Sequence, residues 1–264
     1  MRGTMPRRAG ILAGLPPLRG AAPLLVLLVL WQVAGSRQSP YFPPPDTWWT
    51  GLETLRSGGK LYPALASTVL TFALGLVIAC FLGAAIGLLI GTSRAASRAL
   101  GPLLEFCRGL PPPVIVPVAV LLLGYAESLK LLVVVWVAMW PILLNVATAA
   151  ELLDPLLRDV GRSFRLDPLA KMHKIVIPAV VPPFLIGVRV AVPLAIIITL
   201  LVEMITMLPG IGSLIVTAQR DFRSADVYGL LVLVGLVGFV LNNVFVVIED
   251  LLLRRYPPRA HKVQ

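Results

Sequence analysis

Few side chains in this sequence have the chemistry for catalysis, and those few are not spaced for it. There are two histidines, His173 and His261, and two cysteines, Cys80 and Cys107. No H-E-x-x-H run and no Cys/His cluster with zinc-ligand spacing occurs, so no metal site is expected. The Gly59-Lys60 pair is followed by Leu61 and lacks the first glycine of a phosphate-binding loop. Gly91-Thr92-Ser93 offers hydroxyls within an apolar run, but neither histidine is expected at that depth to activate them. No catalytic residue and no cofactor is therefore expected, and the chain does not read as an enzyme.

The two charges that demand an explanation are Arg189 and Glu203, because both interrupt an apolar stretch. A charge at membrane depth is costly and faces protein or water. They stand 14 residues apart, about 21 Å along a continuous helix, too far to pair directly. Each is a candidate for lining or gating a pathway; the other reading is a charge satisfied by packing.

The elements that must hold them follow from composition. The chain has 264 residues, is 58% hydrophobic and 14% charged, and its mean hydropathy is +0.89. Soluble domains average roughly 45–50% apolar and 25% charged, so the solvent is a membrane. A span needs about 20 apolar residues. The apolar runs are 20–36, 64–91, 110–124 (extended back to about 98 in an alternative reading), 129–150, 177–207 and 227–251. The expectation is an all-α membrane protein with six transmembrane helices. One membrane domain, 20–251, lies between a basic N-terminal tail, 1–19, and a C-terminal tail, 252–264.

The net charge of +10 has no basic face interleaved with aromatics, so nucleic acid is not expected. Its placement speaks of topology instead. With both termini inside, 16 of the 23 Lys and Arg residues fall on the cytoplasmic side and 6 outside, Lys130 among the latter. That bias favours a multi-pass protein of the cell membrane with both ends cytoplasmic. Residues 1–36 also resemble a cleavable signal; Trp31 and Gln32, followed by Gly35 and Ser36, favour a retained helix ending at the interface.

Two further patterns bear on movement. Gly75, Ala79, Gly83, Gly87 and Gly91 recur every four residues and line one face of the second span. Such a face lets helices approach closely, as fixed packing or as a sliding seam. Pro111, Pro112, Pro113 and Pro117 interrupt the third span, and Pro178, Pro182, Pro183 and Pro193 the fifth. Interior proline kinks a helix, and kinks serve pathways and plain structure alike.

The link 151–176, between spans four and five, holds two helix-start signals, Asp154-Pro155 and Asp167-Pro168. Two short helices are expected, 155–165 and 168–175, the second ending against Pro178. On the first, Leu157, Val160, Gly161 and Phe164 share a face flanked by Arg158, Asp159 and Arg162. Such a helix lies on the lipid surface or fills a groove on a partner.

Asp159-Val160-Gly161-Arg162-Ser163-Phe164-Arg165, continuing to Ile175-Val176-Ile177-Pro178, resembles the cytoplasmic "EAA" loop of binding-protein-dependent ABC importer permeases. The resemblance extends over about residues 40–256. It takes in Pro43-Pro44-Pro45; Arg108-Gly109-Leu110-Pro111 with Pro117 and the stretch Gly124 to Lys130; and Gly187-Val188-Arg189, Glu203 and Gly210-Ile211-Gly212. It looks like the nitrate/sulfonate/taurine-type subfamily, which also carries pyrimidine precursors. The resemblance implies a permease that pairs with a second copy and takes solute from an extracytoplasmic binding protein. Its coupling helix would dock on a cytoplasmic ABC ATPase dimer through Leu157, Asp159, Val160, Gly161, Phe164, Arg165 and Pro178. Asp159 and Gly161 stand where Glu and the second Ala are usual, and Arg165 stands where the family has glycine. The alternative is a stand-alone secondary transporter or channel. That would carry inverted repeats and paired intramembrane charges, and the sequence displays neither.

Overall fold

Apolar runs that cannot leave backbone groups unpaired in lipid fold as helices, and every regular element described is helical. The structure, a computed structural model, describes residues 18–153, 156–157 and 163–255, with side chains from 23 to 254 among them. The helices are α1 (Leu18–Ala34), α2 (Asp46–Ser57), α3 (Leu61–Thr92), α4 (Arg94–Gly109), α5 (Pro112–Leu123), α6 (Glu127–Glu151), α7 (Pro168–Thr206), α8 (Ile211–Arg220) and α9 (Ser224–Arg255). Four of them, α3, α6, α7 and α9, are long and apolar enough to cross a membrane. The bent pair α4–α5 makes a fifth if it is counted as one span.

The core is a three-helix layer with α6 in the middle. Val133, Val134, Ala138, Ile142 and Val146 of α6 are wholly buried. The small stripe of α3 packs on them: a Cβ on Gly75 would lie 2.6 Å from Val134 Cγ1, on Gly83 2.9 Å from the Met139 carbonyl, and on Gly87 2.7 Å from the Leu143 carbonyl. Gly187 of α7 does the same on the other side, 2.7 Å from Ile142 Cα. Close approach of backbones, not left-handed geometry, is what these glycines supply. By contrast α9 buries few of its residues, Leu230, Phe245 and Glu249 among them, and is tied at its start to α1 and α2. Trp31 stacks on Phe42 at 4.7 Å and Trp48 on Tyr228 at 5.4 Å.

Two expectations need correcting. The run 110–124 does not extend backward as a straight span, because α4 and α5 meet at 99°. Leu110 and Pro111 are extended (ψ 121 and ψ 132), as residues before proline tend to be; Pro112 then restarts the helix at its first position. The apolar run 20–36 forms α1, described from Leu18 to Ala34. Finally, no separate helix ends before Pro178. From Pro168 the chain runs unbroken to Thr206 through a π-turn at Met172–Val176. Proline lacks an amide hydrogen and crowds the carbonyl four residues back, here that of Lys174. The wider π-turn immediately preceding it absorbs that misfit.

Candidate functional site

The polar groups gather at two ends and one midpoint of this layer. At the hairpin end, where α7 turns back into α8, Glu203 is fully buried and fully engaged. The Thr68 hydroxyl donates to its two oxygens at 2.9 and 3.0 Å, and the Gly212 amide donates to Oε2 at 3.0 Å. Thr68 Oγ1 in turn accepts from the Ile211 amide at 2.9 Å. The first amides of α8 are thus satisfied from α3 and α7, because Gly210, at the cap position, has no side chain to do it. A Cβ on Gly210 would overlap the Glu203 carboxyl group. Negative charge at a helix N-terminus is favourable in itself. Met207, with φ 58, closes α7 by donating its amide to the Glu203 carbonyl at 3.0 Å.

Lys130 completes this network, and the sequence reading placed it in an outer loop. It is fully buried. Its ammonium donates to Ser67 Oγ at 2.8 Å and to the Pro209 carbonyl at 2.7 Å, and lies 2.6 Å from Glu127 and 3.8 Å from Glu203. Four helices, α3, α6, α7 and α8, therefore meet on one ammonium and one carboxylate. Glu203 reads here as a held packing charge rather than a group facing open space.

Arg189 lies at the midpoint. It is far from Glu203, as the spacing implied, and pairs instead with Glu249 of α9, Nε to Oε2 at 3.4 Å. Paired intramembrane charges, not seen in the sequence, thus occur twice. The two partners differ in exposure: the Arg189 side chain is 59% exposed and that of Glu249 7%.

At the loop end, where α6 stops and α7 starts, the expected coupling residues are dispersed. Asp159, Val160 and Gly161 lie outside the described residues. Leu157 is half-buried and packs against the bundle core, so it does not share an outward face with Phe164. Phe164 is 75% exposed, with Leu156 and Leu169 also exposed. Arg165 adopts φ 48, in the left-handed region. Pro178 is half-buried and lies inside the N-terminal half of α7 instead of bounding the loop. Beside them opens a cavity of about 590 Å³, lined among others by Gly91, Arg94, Glu151, Leu153, Lys171 and Met172. Among the described residues no group of three or more His, Cys, Asp or Glu could hold a metal ion.

The family model of the binding-protein-dependent transport system inner membrane component matches residues 75–257. The nitrate import permease protein NrtB of Synechocystis is 29% identical over 243 residues, covering 89% of this chain and 88% of that protein. The bicarbonate transport system permease protein CmpB of the same organism is 28% identical over 251 residues, covering 90% and 88%. The putative aliphatic sulfonates transport permease protein SsuC of Bacillus subtilis is 25% identical over 232 residues, covering 87% and 84%. The matched region begins on the glycine stripe of α3 and runs through the Lys130–Glu203 network to the end of α9. Despite its paired charges, then, the chain is no secondary transporter: it belongs to the family of inner-membrane components of binding-protein-dependent transport systems, and is the permease subunit of an ABC importer whose ATP is hydrolysed by a separate ATPase.

Proposed function

We propose that two copies of this chain form the pathway for a small solute of the nitrate, sulfonate or bicarbonate kind. The substrates named for the relatives favour an oxyanion over a pyrimidine precursor. Each copy contributes six spans, α1 and the broken α4–α5 pair included, with both termini in the cytoplasm. The loop end then faces the cytoplasm and the hairpin end faces the binding protein.

The observation that carries this reading is the exposed apolar group at the loop end, Leu156, Phe164 and Leu169. Large apolar side chains on a turn between two spans gain nothing from water. A groove on the ATPase would bury them, and closure of an ATPase pair would then push on α7 through the short path from Arg165 to Pro168. In this arrangement Asp159, Val160 and Gly161 belong to the docking helix, and Leu157 anchors that helix to its own bundle.

A cysteine introduced at Ser163 tests the arrangement. It should react with a membrane-impermeant thiol reagent only in inside-out vesicles, and co-expressed ATPase should protect it. Labelling from outside intact cells would overturn the orientation. Labelling from inside without protection would overturn the docking assignment alone.

A further inference from the structure

The Arg189–Glu249 pair is placed where neither packing nor lipid accounts for it. Gly187, two residues before Arg189, abuts Ile142. Along α6, Ile142 stands about 18 Å from Lys130 and about 14 Å from Glu151, so Arg189 sits near mid-depth of the layer. Its side chain is nonetheless 59% exposed, while Glu249 is almost wholly covered. The pair therefore points outward from protein to open side, arginine foremost. A guanidinium in hydrocarbon carries a large penalty, so water or a second copy must lie against this face. Among the described residues only Glu249 pairs with it, through Nε, and the terminal nitrogens have no partner there.

We propose that Arg189 is a transient subsite for a small oxyanion within the translocation pathway, with Glu249 as its positioning residue. This rests on the importer reading above and names the chemistry of that pathway. The planar guanidinium presents two parallel N–H donors, which match two oxygens of a nitrate, bicarbonate or sulfonate group. Glu249 lies against the Nε edge as an ion pair at 3.4 Å, and the rest of the guanidinium is left to the open side. Its charge also opposes that of the anion and keeps the affinity low. A conducting site must bind well enough to admit its ion and weakly enough to release it. In a two-copy permease the same fork would occur twice, once from each chain.

The test uses the complex of this chain with its ATPase and binding protein, reconstituted in liposomes. ATP-dependent uptake of labelled nitrate, bicarbonate and ethanesulfonate is measured beside ATP hydrolysis. The double variant Arg189→Gln/Glu249→Gln removes both charges and so leaves no buried carboxylate unpaired. It should keep its ATPase stimulation by binding protein and lose anion uptake on the order of tenfold or more, the scale of a lost charge-assisted hydrogen bond. Uptake at the wild-type rate would overturn the proposal. Should the double variant fail to assemble, Arg189→Lys decides, since it keeps the ion pair and removes only the fork. A fall in anions moved per ATP supports the subsite, and an unchanged ratio refutes it. A wild-type complex whose ATPase responds to binding protein but which imports a pyrimidine and none of the three anions would sink the oxyanion subsite and leave the importer intact. A wild-type complex that neither responds nor imports anything would sink both.

Discussion

The hairpin end and the loop end of this bundle are finished in opposite ways. At the hairpin end one ammonium, one buried carboxylate and two hydroxyls satisfy one another and the first amides of α8, all from a single chain. At the loop end Phe164 and Leu169 are exposed, Arg165 is held at φ 48, and a cavity lies open beside them. Buried polar groups cost free energy unless they are paired, so the first end is complete in itself. Exposed apolar side chains cost little until a partner offers to cover them. The difference separates what the chain must build alone from what it leaves to assembly. The helix α7 joins the two, held at Glu203 by the network and starting at Pro168 beside the cavity.

The largest effect should follow from breaking the closed end. Lys130→Met keeps the length of the side chain and removes the charge that Glu203, Glu127, Ser67 and the Pro209 carbonyl share. Removing one member of a buried ion pair costs about 3–5 kcal/mol, and thermal unfolding in detergent should show it as a large drop in midpoint. Adding Glu203→Gln should recover part of the loss, since the neutral amide tolerates a missing cation. A midpoint unchanged in Lys130→Met would mean that the hairpin end is not held by this network, and the comparison would collapse.

An intermediate effect, of a different kind, belongs to the open end. Phe164→Asp should leave the stability of the isolated chain nearly untouched, because the side chain is 75% exposed. It should instead weaken retention of the ATPase in co-purification, since docking would bury an unpaired carboxylate at a cost of several kcal/mol. A variant that unfolds more readily on its own, yet still holds the ATPase, would reverse the roles given to the two ends.

What the sequence disclosed follows the same division between local and distant. The stripe Gly75–Gly91 was legible because a period of four on an apolar helix has few meanings, and it packs on α6. Asp167-Pro168 was legible as a helix start, since its chemistry is local. The π-turn was not, because it answers a strain that only the continuing helix creates. Lys130 was misplaced for the opposite reason. Counting basic residues treats a lysine near a span end as solvated, whereas its partners Ser67 and Pro209 come from 63 and 79 residues away. Glu127, three residues before it, was the one local sign of a pair. Glu249 had no local sign, and Arg189 went without a partner until α9 was laid beside α7.

The smallest effect concerns Arg165, where the family pattern has glycine. A residue other than glycine in the left-handed region carries a penalty of about 1 kcal/mol, and φ 48 puts Arg165 in it. Glycine there would be free of that strain, though its looser unfolded chain gives back part of the gain. Arg165→Gly should therefore raise the unfolding midpoint slightly, by less than the full penalty, and leave ATPase retention as it was. Arg165→Ala separates conformation from charge, because alanine keeps the strain and removes the guanidinium. It should match the wild type in stability. If both variants hold the ATPase equally well at low and high salt, the arginine only tolerates its turn. If both lose it in a salt-sensitive way, the guanidinium meets an acidic group on the ATPase, and the open end selects its partner by charge as well as by its apolar face. A fall in the stability of isolated Arg165→Gly would show that the turn gains from arginine after all, and that the loop end is less dependent on assembly than its exposed side chains imply.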